Sequence, residues 1–496
     1  MQINISILSA FIVYFLMMLA IGIYFYSKSK NISDYFLGGR GLGSWVTALS
    51  AQASDMSGWL LLGLPAAAFW SGLSAGWIAI GLAIGTYLNW KFIAVKFRKF
   101  TAVANDSITI PQYLQNRFLS QSTLIRSVCA VIIFVFFLVY TASAFSAGAK
   151  LFQYVFKLDY VVALTIGSFI IIAYTFLGGF MAVCWTDFIQ GTLMFVALVI
   201  VPFAAAAKTP DFSFQLISEL GGTNYLNLFA DASGQVALVT IISGLAWGLG
   251  YFGMPHILTR FMAIKESSMI KKSRIIAMIW VIISLLAAVM VGVVGIAFLG
   301  GRGAYTDVGA AEVIFMDLVT HLFPGLIAGV LLSAILAAAM STADSQLLVA
   351  ASAVSNDFYK ALFRKKASDK ELIWVSRIAV MVISVIAYCL ALDPNSTVMG
   401  LVSYAWAGFG SSFGPVILLS LFWKRLTLKG AVSGMIVGGV TVVVWENVSF
   451  LSGTGLYSLV PGFFIALAVI VLVSLIDKEP SQEVKDLFER AHNSTI

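Results

Sequence analysis

The stretch AQASDMSGWLLLGLP, residues 51–65, sets a carboxylate, Asp55, inside an otherwise apolar run, flanked by Ser54, Ser57 and Gly58. A carboxylate kept away from water is costly and is usually retained for function. Two further acids stand in apolar surroundings, Asp187 in GGFMAVCWTDFIQG and Asp344 in LSAILAAAMSTADSQLLVAAS. In the second stretch Ser341 and Thr342 add neutral oxygens. A hard cation takes carbonyl, hydroxyl and carboxylate oxygens, so these residue types point to ion binding. Each has a plainer reading. Asp187 suits the N-cap of a following helix, where Asp is favoured, and a single Ser341 bonds readily to its own i−4 carbonyl. Beside a broken helix, the cation site is the better account of Ser341 and Thr342.

Tyr140, Trp247 and Tyr251 suit a small organic solute. Trp247 and Tyr251 are spaced i, i+4 on one helical face that Pro255 extends. The apolar body of a zwitterion fits such a face, with its carboxylate towards the free N–H groups of a half-helix near Ser57 and Gly58. Aromatics make up 14% of the chain, so each ring taken alone also fits packing or an interface belt.

These groups need elements that hold them at hydrocarbon depth. The chain has 496 residues, is 60% hydrophobic and only 11% charged, with a mean hydropathy of +0.96. Apolar runs of about 20 residues recur along it, which makes it an all-α polytopic membrane protein and not a barrel of short alternating strands. We place thirteen spans at 5–27, 44–72, 74–96, 123–154, 159–180, 188–207, 235–259, 274–299, 323–358, 372–392, 397–423, 428–446 and 456–476. The first run has no basic residue before it and no small-residue cleavage site, so it is read as a retained span. With the N-terminus outside and the C-terminus inside, every lysine and arginine except Lys150, Lys157, Lys208 and Arg302 falls on the cytoplasmic side, Lys28, Lys30 and Arg260 among them. That asymmetry accounts for the net charge of +7 without invoking nucleic acid.

Two spans are interrupted, the second by SDMSG and the seventh by Gly244, Gly248, Gly250, Gly253 and Pro255. They lie five spans apart and so cross in opposite directions. Paired breaks of this kind mark the binding site of inverted-repeat transporters, although glycines also serve close helix packing. The implied organisation is a peripheral helix and cytoplasmic linker (1–43), a first five-helix repeat (44–207), an extracellular loop (208–232), a second, inverted repeat (233–423), two peripheral helices (424–477) and a cytoplasmic tail (478–496). Cys129, Cys184 and Cys389 are scattered and carry no disulfide or metal spacing. No nucleotide-binding motif, nucleophile–base pair, selectivity-filter segment or signalling domain is evident, which argues against an ATP-driven pump, an enzyme, a channel and a receptor.

DYFLGGRGLG, LSAQASDMSGWLLLGLP, GGFMAVCWTDFIQ, WGLGYFGMPHILTRFMA, LSAILAAAMSTADSQLL and GLVSYAWAGFGSSFGP run from residue 34 to residue 415. On these motifs the chain resembles the sodium/solute symporter family. The second, fourth and sixth resemble its proline-transporting branch. The resemblance implies a LeuT-type five-plus-five inverted repeat within thirteen helices. It implies sodium-coupled uptake of L-proline across a bacterial cytoplasmic membrane, with no obligatory protein partner and no nucleic acid. A family member for another small solute, such as an osmolyte, a sugar acid or a vitamin, is the alternative. The resemblance also implies a sodium site from the carbonyls of Ala53, Met56 and Ala338 and the hydroxyls of Ser341 and Thr342, with Asp55 required beside it. The substrate site would involve Ser57, Gly58, Tyr140, Trp247, Tyr251 and Pro255. Asp187 would serve ion release, and Asp344 or Ser345 would contribute to a second sodium site of the kind some relatives have.

Overall fold

A backbone with no water to bond must satisfy its own polar groups, and in single apolar segments only the α-helix does so. The computed structural model of this protein describes residues 4–26, 31–177, 179–230 and 234–494, so Lys28 and Lys30 lie outside the described residues. Among the described residues it is helical throughout, with isolated bridges such as Leu42–Ile264 and no strand. Ten helices are long and apolar enough to cross a membrane, and eleven if a bent pair counts as one span. Their outward faces carry exposed Val131, Phe169, Phe203, Leu286 and Ile378.

Helix α1 (Ile5–Tyr26) lies on the outside. The second span is α2 (Ser44–Asp55), a break at Met56 and Ser57, and α3 (Gly63–Ser71) after one short turn. A reversal at Gly72, with φ +64°, leads into α4 (Gly76–Leu88). Then follow α5 (Leu124–Phe156), α6 (Tyr160–Leu177) and α7 (Phe180–Lys208). The seventh span is α8 (Leu238–Ala246), a 3₁₀ segment Trp247–Phe252, and α9 (Pro255–Ala263), bent by 44°. Next are α10 (Ile270–Phe298), α11 (Gly325–Ser352), α12 (Asp369–Leu390) and α13 (Val398–Phe422). A hairpin of α14 (Leu428–Asn447) and α15 (Leu459–Ile476) packs on α13. Helix α11 is the hub, buried along most of its length against α1, α5, α7 and α12.

One boundary differs from the sequence reading. Helix α7 begins at Phe180, where the sequence suggested a span starting at 188. Asp187 therefore sits two turns inside a helix and caps nothing. The sequence marked that acid as a boundary because its buried counter-charge comes from a distant segment. The tail also differs from a free segment: α16 (Gln482–Asn493) buries Val484, Leu487, Phe488 and Ala491, and Phe488 meets Phe100 edge-on at 5.3 Å.

The seventh span is held to α4 by glycine on glycine. A Cβ on Gly85 would lie 2.3 Å from the Gly248 carbonyl oxygen, and one on Gly81 would lie 2.3 Å from that of Gly244. Both obstacles are backbone and cannot swing aside. Gly85→Ala is therefore expected to cost about 2 kcal/mol through forced separation of the two helices. Gly303→Ala, where nothing lies within 4 Å, should change stability by less than about 0.5 kcal/mol. Thermal unfolding of the purified variants in detergent measures both.

Candidate functional site

The two breaks meet. Helix α2 ends because Asp55 is followed by Met56 at ψ 74° and Ser57 at ψ −162°, conformations that carry no helical ladder. Asp55 is fully buried at this end. Its Oδ2 accepts a hydrogen bond of 2.5 Å from the Tyr251 hydroxyl, across from the other broken span. Its Oδ1 has no protein partner, and no basic side chain pairs with it among the described residues. Its carbonyl, freed by the break, accepts from Tyr140 Oη and Trp59 Nε1, each at 3.3 Å, and from the Ser57 N–H at 2.9 Å. One residue thus ties together both halves of the second span, the seventh span and α5.

The oxygens expected around a cation converge on the same level. Ser341 Oγ on α11 donates to the Ala53 carbonyl at 2.8 Å and reaches the Ala338 carbonyl at 3.3 Å. Thr342 Oγ1 is buried beside it with no partner, and Met56 has left the helix. Ala53, Ala338 and Ser341 are therefore brought together. Thr342 and Asp55 each retain an unsatisfied oxygen in the buried interior.

The residues expected to hold a solute are likewise buried around the break. Ser57 caps the turn that starts at Gly58, its Oγ 3.5 Å from the Trp59 N–H. Gly58 has a packing reason of its own, since a Cβ there would lie 2.6 Å from Ala147. Pro255 opens α9, the N1 position where its missing N–H costs nothing. The i, i+4 argument for Trp247 and Tyr251 needs correction. The segment is a 3₁₀ helix, in which residues four apart are not eclipsed. Trp247 packs on Trp59 at 5.9 Å and Tyr251 reaches Asp55, while both rings also meet Trp406.

A second buried cluster lies further along α2, α9 and α11. Asp187 Oδ2 accepts from Arg260 Nη2 at 3.0 Å and from Ser50 Oγ at 2.6 Å. Arg260 also donates to Ser50 Oγ at 3.0 Å, to Ser345 Oγ at 2.5 Å and to the His256 carbonyl at 3.0 Å. Ser345 Oγ lies 3.3 Å from Asp344 Oδ1. Asp187, Asp344 and Ser345 are thus gathered around one guanidinium, all fully buried.

Sequence reasoning missed this role of Arg260, which counted only as one more cytoplasmic cation. The signal available was its place in the motif WGLGYFGMPHILTRFMA, about one and a half turns into a half-helix whose other residues are mostly apolar. It also missed Glu312. That buried side chain takes a 2.6 Å ion pair from Lys150 and accepts the Val398 and Met399 N–H groups at 3.0 Å, capping α13.

A family model described as the sodium:solute symporter family matches residues 35–438. An osmoregulated proline transporter of Bacillus subtilis (strain 168) is 47% identical over 487 residues, 98% of each chain. A sodium/proline symporter of Escherichia coli (strain K12) is 47% identical over 497 residues, 99% of this chain and 97% of that one. Among solved structures, a Na⁺-coupled sialic acid symporter in its substrate-bound, outward-open state aligns with a TM-score of 0.79 at 21% identity, over 97% of this chain and 99% of that chain. At that identity the last likeness speaks for the fold alone. With a family model over residues 35–438 and a relative 47% identical over 99% of it, this chain belongs to the sodium:solute symporter family.

Proposed function

We propose that the protein takes up L-proline together with sodium by alternating access, as a multi-pass protein of a bacterial cytoplasmic membrane. The observation that carries the reading is the meeting of two broken spans at Asp55, within hydrogen-bond reach of Tyr251 and one helix layer from the Ser341–Ala53 contact. The names of the two bacterial relatives supply the solute and the ion.

Sodium is coordinated by the carbonyls of Ala53, Met56 and Ala338 and the hydroxyls of Ser341 and Thr342. Asp55 supplies negative charge beside it. Proline lies against Tyr140, Trp247, Tyr251 and Pro255, with its carboxylate towards Ser57 and Gly58. Binding of the ion orders the break in the second span, so ion and solute favour each other's binding. Asp187, Asp344 and Ser345 serve ion release or a second sodium site. Arg260 leaves one of these two carboxylates without a compensating charge, which supports that role.

Thirteen spans with the N-terminus outside fit the helices as follows. The 46-residue stretch Gly58–Val103 measures about 69 Å as a helix, more than twice the roughly 30 Å of hydrocarbon. It therefore completes one span and supplies another, turning at Gly72. Counting the bent pair and the shorter Tyr160–Phe176 raises ten spans to thirteen. The two inverted repeats then run over 44–207 and 233–423.

Proline is a zwitterion, so one sodium per proline carries one positive charge inward. At about 100 mV that charge contributes roughly 2.3 kcal/mol, which supports about 40-fold accumulation before the sodium gradient adds its share.

Radiolabelled proline uptake into proteoliposomes tests the reading, with an inward sodium gradient and then with potassium or a proton gradient in its place. Uptake should require sodium and rise with an inside-negative potential; uptake indifferent to sodium refutes the coupling. Asp55→Asn keeps an acceptor for Tyr251 and removes the charge. It should lower sodium-driven uptake by about 100-fold, the worth of two charge-assisted contacts. Thr342→Ala, which deletes one oxygen, should raise the sodium concentration for half-maximal uptake by about tenfold.

The second cluster gives a separate expectation. Arg260→Gln leaves buried carboxylates unpaired and should lower stability by about 3 kcal/mol. Adding Asp187→Asn should restore part of the loss. Thermal unfolding of the single and double variants decides, and strict additivity would rule out the pairing.

A further inference from the structure

The 3₁₀ segment that carries Trp247 and Tyr251 has little of its own to fix its pitch, since short 3₁₀ runs have poor hydrogen-bond geometry. Beside the Asn89 amide, which donates to the Tyr251 carbonyl at 3.1 Å, and the Tyr251–Asp55 bond, one side chain from α13 braces it most closely. Trp406, 1% exposed, donates its indole N–H to the Trp247 carbonyl at 2.8 Å. Its ring fills the space that Gly250 leaves: a Cβ on Gly250 would fall 2.0 Å from the indole nitrogen and 2.4 Å from Cε2. The same ring meets Tyr251 edge-on, centroids 5.2 Å apart at 86°, and stacks beside Trp247 at 6.2 Å. The other brace on Trp247 also leads to α13. Tyr457 stacks on it at 5.2 Å and donates its hydroxyl to the Ser403 carbonyl at 2.7 Å.

We propose that Trp406, seated against Gly250, is a positioning residue that sets the size limit of the solute site, holding Trp247 and Tyr251 so that the slot admits a compact five-membered cyclic amino acid and excludes larger ring homologues. This rests on the proline reading given above.

The physical basis is the stiffness of the arrangement. The rings around the break, Trp59, Trp247, Tyr251 and Trp406, are rigid, and each has only two side-chain torsions. The indole cannot retreat while Gly250 has no side chain to push it, and it cannot advance because the backbone of the segment is already in contact. A site of this kind discriminates by fit, and one added methylene in a closed apolar slot changes affinity by roughly 10- to 200-fold. Trp406 itself acts through Trp247 and Tyr251.

The test is sodium-driven uptake in proteoliposomes of proline and, as competitor, its six-membered-ring homologue piperidine-2-carboxylate. Wild type, Trp406→Phe, Gly250→Ala and the double variant are compared, with protein amounts matched. Trp406→Phe keeps a ring and removes the indole N–H and part of the volume. It should raise KM for proline about tenfold, with Vmax and the sodium dependence within about twofold of wild type, and cut the preference over the larger ring about tenfold. Gly250→Ala displaces the indole from the other side and should do the same, so it carries the test alone if Trp406→Phe does not fold. In the double variant the smaller ring leaves room for the methyl, and the combined effect should fall short of the product of the two.

Unchanged KM and unchanged preference in both single variants would overturn the proposal while leaving the proline reading intact. So would a fall in Vmax alone, which marks support of the fold. A wild-type protein that takes up no proline would overturn the function reading and this proposal with it.

Discussion

Two broken helices meet at one buried carboxylate with which no basic side chain pairs among the described residues. Asp55 is fully buried, one of its oxygens accepts from Tyr251 and the other has no protein partner. In an apolar interior an unpaired polar oxygen is expensive, and structures normally remove the expense by adding donors. Here the chain breaks two helices beside it, and the loosened backbone is bonded by neighbouring side chains. Tyr140 and Trp59 meet the carbonyl of Asp55, Trp406 meets that of Trp247, and Ser341 meets that of Ala53. Irregular backbone at membrane depth survives only where it is enclosed by protein in this way.

The second acidic cluster differs in having a guanidinium at its centre. Asp187 shares one oxygen between a guanidinium and a hydroxyl, and Arg260 distributes its donors over α2, α7, α9 and α11. A buried ion pair adds little net stability over apolar packing of the same shape, but breaking it on one side is costly. Its value is therefore geometric: it fixes α9 against three other helices. The Asp55 layer has no basic side chain paired to its acid among the described residues, whereas the second cluster is organised by one guanidinium, although Asp187 Oδ1 and Asp344 Oδ2 also have no protein partner.

How much of this was legible in the sequence follows from how local each feature is. The burial of Asp55 and both breaks were legible, because a charge or a glycine run inside an apolar stretch is visible without knowing its neighbours. Trp247 and Tyr251 were legible as residues but not as a geometry, since α-helical spacing was assumed where Gly248, Gly250 and Gly253 allow a tighter turn. Arg260 was hidden because a cation near the end of a half-helix looks like any loop cation under the positive-inside rule, and its partners lie 73 and 85 positions away. The start of α7 was misread for the same reason. Trp406 could not be found at all: its function lies in filling the space left by a glycine 156 positions earlier.

The distribution of contacts also says where the structure can give way. The first half of the seventh span is fused to α4 through glycine pairs whose backbones touch, and its 3₁₀ segment is held by Trp406. Those contacts are close-packed and water cannot replace them. The second half, α9, buries Ile257, Leu258, Phe261 and Met262, and it also meets α2, α7 and α11 through Arg260, Ser50, Ser345 and Asp187, polar groups that water can satisfy if it enters. Between the two halves stand Gly253 and Met254, where the 44° bend falls. A hinge is best placed where a few residues absorb the rotation between one body that must stay packed and another that can exchange its partners for water. By that criterion α9 turns at Gly253–Met254 relative to the first half, with Gly253 itself held against the α13 backbone. A rotation of α9 at that point would disturb the polar cluster before the contacts of Trp247 and Tyr251 with Trp406.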